Sequence, residues 1–231
     1  MENILKAEGL YKSYFNKKAL NGVTIDIKPG KIVGLLGPNG SGKTTFLKIV
    51  AGILQPTQGE VLIDNKNPGV YTKSIVSYLP DNEYLLSWMK IKDAIKYFND
   101  FYVDFDEKKS VELLEFMGLD GNTSVKNLSK GMKEKLKLTL VLSRKAKLYV
   151  LDEPLGGVDP TAREKILNAI INNFNEKSSM LITTHVVSEI ERIFDDVAFI
   201  SEGKIVLQGS AEELRISKNK SIDELYREVF K

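Results

Sequence analysis

The stretch GPNGSGKTT at residues 37–45 limits what this chain can fold into more than any other. It follows the continuous apolar run Ile32–Leu36 and precedes TTFLKIVAGIL, whose apolar residues recur at helical spacing. A buried strand, a glycine-rich turn and a helix from about Lys43 to Gly52 are therefore expected in that order. Gly37, Gly42, Lys43 and Thr44 fall on the spacing G-x-x-x-x-G-K-[ST], which a random chain of this length would match on the order of once in a hundred. Physically, the backbone of Gly37, Pro38, Asn39, Gly40, Ser41 and Gly42 can approach and surround phosphate oxygens. The helix that begins there, with Thr45 in its first turn, adds a favourable dipole, and Lys43 adds a point charge for the terminal phosphates. The Thr44 hydroxyl is suited to Mg²⁺.

Composition bounds the rest. With 231 residues and 42 % apolar content the chain can bury a proper core as one large domain, or as one domain with an inserted subdomain. A formal charge of +2 is no footprint for nucleic acid, so no nucleic-acid partner is expected. With no cysteine and one histidine, neither disulfides nor a multi-histidine zinc site can form. The N-terminal MENILKAEGLYKSY carries charges where a signal peptide needs apolar residues, and no window approaches eighteen uninterrupted apolar residues. The expectation is a chain that neither spans a membrane nor is exported.

Along the chain, Val23, Ile25 and Ile27 alternate before a Pro29-Gly30 turn, and further strands are expected at Glu60–Ile63 and Ile75–Leu79. From about Ile91 to Arg144 the texture becomes helical, with apolar faces in IKDAIKYFNDFY, EKKSVELLEFMGL and KGMKEKLKLTLVLSR. Strand and helix then alternate again through KLYVLD, TAREKILNAIINNF, SSMLITT, VVSEIERIF and DVAFI. That order predicts a mainly parallel sheet with helices on its faces.

KLYVLDEP ends an apolar strand on two carboxylates. A carboxylate at the tip of a buried strand is costly unless it meets a cation or donors, which a Mg²⁺–nucleotide site beside the phosphate loop supplies. Asp152 is the expected metal-side residue, and Glu153 is placed to accept a proton from an attacking water. His185, in MLITTHVVSEI, is the single histidine; taken alone it reads as a satisfied core or edge residue.

Taken together, these motifs resemble the ATP-binding subunit of an ABC transporter, and the resemblance covers essentially the whole chain. It implies a P-loop NTPase (RecA-like) α/β core with an N-terminal antiparallel β subdomain and an inserted α-helical subdomain. Residues 1–86 and 146–231 would form the core and 87–145 the helical part of one domain. In KSYFNKKAL, Tyr14 matches the residue that stacks on adenine, with Tyr11 as its rival. In IVSYLPDNEYL, Asp81 stands where the family carries a Gln near Mg²⁺; read locally, Asp81 and Asn82 serve a turn after Pro80. NLSKGMKEK resembles the L-S-G-G-Q signature, with Ser129 and Gly131 matching and Lys130 and Met132 departing from it. Ser129 also reads as an ordinary helix N-cap. In GGVDPTAR, Asp159 matches the residue that crosses a dimer interface, and locally Asp159-Pro160 is a helix start. His185 matches the histidine that contacts the γ-phosphate.

What the resemblance implies is a Mg²⁺-dependent ATPase that binds two ATP molecules between two ATPase subunits, as a homodimer or heterodimer. It would power a separate membrane permease from the cytoplasmic face of the membrane, with LSKGM and the Asp81 loop resembling bacterial drug and peptide exporters. The alternative is a soluble ABC-type ATPase of a cofactor-assembly or other non-transport complex. A small GTPase or metabolic kinase would leave the signature and the His185 strand unexplained.

Overall fold

Residues 2–231 are described by a computed structural model of the chain. At the N-terminus β1 (Leu5–Tyr14) and β2 (Lys17–Ile27) pair antiparallel, placing Leu5, Ala7 and Leu10 opposite Ile27, Ile25 and Val23, all buried. Next come β3 (Ile32–Leu36), α1 (Lys43–Val50) and β4 (Gln58–Ile63), and β4 joins β1 to complete a three-stranded sheet ordered β2-β1-β4. The short helix α2 (Val70–Ile75) leads into β5 (Val76–Leu79).

Three helices follow: α3 (Ile91–Phe101), α4 (Glu107–Met117) and α5 (Lys130–Leu142). In α3 the buried residues Ile91, Ala94, Ile95 and Phe98 keep the spacing of one helical face. Asp106 caps α4 and Gly118 ends it in the left-handed conformation. Within α5 the two halves differ, because residues 131–135 are half-buried after an exposed Lys130 while every residue from Leu136 to Leu142 is buried. The signature end of α5 therefore stands at the surface while its other end is set in the core.

After β6 (Leu148–Asp152) come α6 (Pro160–Asn173), β7 (Ser179–Thr184), the one-turn helix α7 (Val187–Ile190), β8 (Asp196–Ser201), β9 (Lys204–Ser210), α8 (Ala211–Lys218) and α9 (Ile222–Val229). The six-stranded sheet is ordered β5-β6-β7-β3-β8-β9, parallel except for β9. Every residue of β3, β6 and β7 is buried, as expected for parallel strands covered on both faces. Tyr149 and Leu151 face one apolar cluster, shared with α3–α6, while Leu148 and Val150 face another, shared with α1 and the antiparallel sheet.

Where α5 ends, buried Arg144 ties the helices to the sheet. Its Nε donates to Asp104 Oδ1 at 3.0 Å, Nη1 to the Val76 carbonyl at 2.7 Å and Nη2 to the Ser74 carbonyl at 2.9 Å, with the guanidinium 4.0 Å above the Tyr102 ring. Among the described residues no helix is long and apolar enough to cross a membrane.

Some local expectations shift. VVSEIERIF is not one helix: α7 is a single turn continued by a 3₁₀ turn, Glu191–Ile193. The segment must return at once to β8, and Phe194 packs its ring against Gly34, so no room remains for further turns. Ile75 closes α2 rather than opening β5, and β9 with helices α8 and α9 lies beyond DVAFI, the last element the periodicity predicts.

Candidate functional site

Because β5, β6, β7 and β3 are parallel, their C-terminal ends share one edge, and this is where open α/β sheets bind ligands. Along that edge β3 leads into the glycine loop, β6 ends at Asp152, β7 ends just before His185, and β5 leads to Asp81.

In the loop, two glycines are needed for separate reasons. A Cβ on Gly37 would stand 2.3 Å from the Ile200 carbonyl and 2.7 Å from Ser41 Oγ. Gly42 has φ of 113° and caps α1, where a Cβ would lie 2.5 Å from the Ala19 carbonyl. No side chain caps α1 and its first turn holds no acid, so its leading N–H groups are free for an anion. Lys43 is buried and folds back over the loop, its Nζ donating to the Gly37 carbonyl at 2.7 Å and the Pro38 carbonyl at 3.2 Å. The same ammonium lies 3.2 Å from Glu153 Oε1.

Beside it, the register of β6 against β7 sets Asp152 opposite Thr183. Thr183 Oγ donates to Asp152 Oδ1 at 2.7 Å and accepts the Glu153 N–H at 3.0 Å, so one hydroxyl serves both carboxylate residues. Asp152 is buried, and that burial pushes its carboxyl above the ordinary carboxylate range, opposed by the Thr183 and Thr44 hydroxyls. Its Oδ2 has no partner in full hydrogen-bond geometry, although the Thr44 hydroxyl lies close enough to favour the charge. Glu153 has φ of 50°, a left-handed conformation that costs a non-glycine residue about 1–3 kcal/mol and is held by its N–H bonds to β7. Its Oε2 accepts from the His185 backbone N–H at 3.2 Å and stands 2.8 Å from His185 Nδ1. Since a carboxylate only accepts, Nδ1 carries the proton there and Nε2 is left to a second partner.

Of these groups Lys43 and Glu153 line a cleft of about 280 Å³ whose other walls include Tyr14, Lys17, Asn39, Thr44 and Asp81, while Asp152, Thr183 and His185 reach it only through their neighbours Thr44 and Glu153. Tyr14 is half-exposed at the cleft, whereas the hydroxyl end of Tyr11 lies against Gly22 and away from it. The Asp81 carbonyl accepts from Lys137 Nζ at 3.3 Å, and buried Lys137 also pairs with Glu134 at 2.9 Å, which fixes the Asp81 loop to α5.

The structure does not bring Ser129, Gly131 and Asp159 into that cleft. They form a second group: a Cβ on Gly131 would lie 3.5 Å from Asp159 Oδ2. Ser129 Oγ accepts from the Met132 N–H at 3.2 Å, and Asp159 Oδ1 accepts from the Ala162 N–H at 3.0 Å, with Pro160 in the first turn of α6. Both are therefore helix caps as well. Lys130, at the departure from the signature pattern, carries its Nζ over Gly157. Sequence reasoning missed Thr183 and Lys17. The one signal for Thr183 is its place at the end of the apolar strand SMLITT, which becomes specific only once the β6–β7 register is known.

A family model described as ABC transporter matches residues 20–156. The chain is 33 % identical over 218 residues to an uncharacterized ABC transporter ATP-binding protein, YxlF, of Bacillus subtilis, covering 92 % of this chain and 72 % of that one. It is 32 % identical over 208 residues to the lantibiotic transport ATP-binding protein SrtF of Streptococcus pyogenes, covering 89 % and 90 %. Among solved structures, an ATP binding subunit of an ABC transporter superposes with a TM-score of 0.87 at 25 % identity, covering 97 % of this chain and 98 % of that one. The match runs through the phosphate loop, the signature and the carboxylate strand, so the chain belongs to the ABC transporter family, as an ATP-binding subunit that hydrolyses ATP.

Proposed function

We propose that this chain powers export of a drug, peptide or similar substrate through a separate membrane permease, acting on the cytoplasmic face of the membrane as one of two paired ATPase subunits. The observation that carries its chemistry is the Glu153 carboxylate held between Lys43 Nζ and His185 Nδ1. The likeness to a lantibiotic transport protein supports export.

In this reading Tyr14 stacks on adenine, the backbone of residues 37–42 and the N-terminus of α1, with Thr45, receive the phosphates, and Lys43 turns from the Gly37 carbonyl to the terminal ones. Mg²⁺ fits the donor set, because Asp152 Oδ2 is buried without a partner, the Thr44 hydroxyl is near the same carboxyl, and oxygen donors suit a hard cation. Thr44 and Asp152 would hold it, with Asp81 through water, and once bound it neutralises charge developing on the phosphates. Turning Lys43 away releases Glu153 to accept a proton from the attacking water. His185, anchored through Nδ1, positions that water and the γ-phosphate with Nε2.

The second group, Ser129, Gly131 and Asp159, faces the nucleotide of the paired subunit. Residues 87–145 form the helical part of the single domain. Between that part and β5, a groove of about 690 Å³ lined by Tyr78, Tyr84, Tyr97, Phe101 and Tyr102 suits an amphipathic segment of the permease. Glu153→Gln keeps the size of the side chain and removes the base, so turnover falls by about 10²–10⁴ while ATP binding survives. Near-normal turnover in that variant rejects Glu153 as base, and absence of a multi-spanning protein after detergent extraction from the native membrane rejects the permease.

A further inference from the structure

Arg163 stands in the first turn of α6, four residues after Asp159, and no step of the chemistry above uses it. Its backbone N–H donates to the Asp159 carbonyl at 3.0 Å, and its Nε donates to the Val158 carbonyl at 2.9 Å. Its Nη1 pairs with Glu189 Oε1, in the one-turn helix α7, four residues after His185. Thus one guanidinium holds the loop that carries Asp159 and the arm that carries His185. We infer that Arg163 is a positioning residue that makes the place of His185 depend on how the Asp159 loop is seated. The inference rests on the reading of Asp159 as an interface residue and His185 as a γ-phosphate residue.

Three observations carry it. A single helical turn does not hold itself in place, so the position of α7 is set by its attachments. Val187 and Ile190 are buried beneath it, and beyond it Glu191 is tied to the C-terminal helices through Arg215 Nη2 at 2.6 Å and the Asp223 N–H at 3.1 Å. On the side of the Asp159 loop, Arg163 supplies a side-chain tie to α7. Val158 also lies beside Gly131, so a change seated at the signature face reaches the carbonyl that Arg163 reads. Finally, the two tasks need separate N–H groups in a fixed fork, which arginine supplies and lysine does not. The pair is partly exposed, with side-chain exposures of 27 % and 36 %, so it contributes little to stability and its loss should register in chemistry first.

The test uses the full chain and the fact that His185 gives the only histidine ring signal. Arg163→Gln and Glu189→Gln should each lower kcat about 10- to 100-fold with KM for ATP nearly unchanged. Each should also move the His185 ring resonance in the ATP-bound Glu153→Gln background, and the double variant should be no worse than either single one. Arg163→Lys keeps the charge without the fork and should recover only part of the loss. Asp159→Asn, which preserves the helix cap, should shift the His185 signal when Arg163 is present and leave it in place in Arg163→Gln. Multiplicative losses in the double variant, or a His185 signal indifferent to Arg163, would overturn the inference. If His185→Ala alone hydrolyses ATP normally, the underlying reading has failed instead.

Discussion

At the residue scale the site turns on Thr183, whose hydroxyl is shared by Asp152 and Glu153. Thr183→Val keeps shape and removes that hydroxyl, leaving Asp152 Oδ1 buried without its donor and Glu153 without one of its two anchors. We expect a loss of about 1–3 kcal/mol in unfolding free energy, from denaturant titration. Turnover should fall about tenfold or more, because Glu153 would no longer be held in its left-handed conformation. Unchanged turnover would show that the Thr183 carbonyl is anchor enough. Asp152 and Glu153 were legible from the strand that ends on them, whereas Thr183 was not singled out, since a threonine in a buried strand is ordinary until its cross-strand neighbour is known.

Among elements, the seam between helices and sheet depends on Arg144. The guanidinium bonds Asp104 on one side and the Val76 and Ser74 carbonyls on the other, so its removal leaves buried acceptors on both. Arg144→Met should destabilise the protein by about 3–5 kcal/mol, read by chemical denaturation. Arg144→Lys should lose much of the same amount, since an ammonium cannot reproduce the fork. A loss below about 1 kcal/mol would assign the seam to apolar packing alone. Helices α3, α4 and α5 were legible from their periodicity. The one-turn length of α7 was not, because it is set by the packing of Phe194 against Gly34 rather than by any breaker in VVSEIERIF.

For the whole molecule, nucleotide binding adds to the stability of the fold. ATP at a hundredfold excess over its Kd should stabilise the folded state by about 2.7 kcal/mol, which for a domain of this size is about 5–11 °C in Tm. Thermal melts of Glu153→Gln with and without ATP check this. The same variant should become dimeric by light scattering only when ATP is present, because two nucleotides then bridge polar faces that otherwise stay apart. A monomer at saturating ATP would point to a different ATPase chain as the partner.

Local pattern determined much of this protein. A strand, a glycine turn and a helix follow from residues 32–52 because backbone sterics and periodicity act over a few neighbours, and the phosphate chemistry of that turn follows with them. The two carboxylates of β6 announce themselves for the same reason, as charge at the end of an apolar run. What depends on residues far apart in sequence had to await the folded chain. Strand order brings Asp81, Asp152 and His185 to the end of β3, and register places Thr183 on Asp152. Tertiary packing also separates Ser129 and Asp159 from the cleft and joins the Asp159 loop to the His185 arm through Arg163. Those relations are distances between segments 20 to 150 residues apart, and no local propensity encodes them.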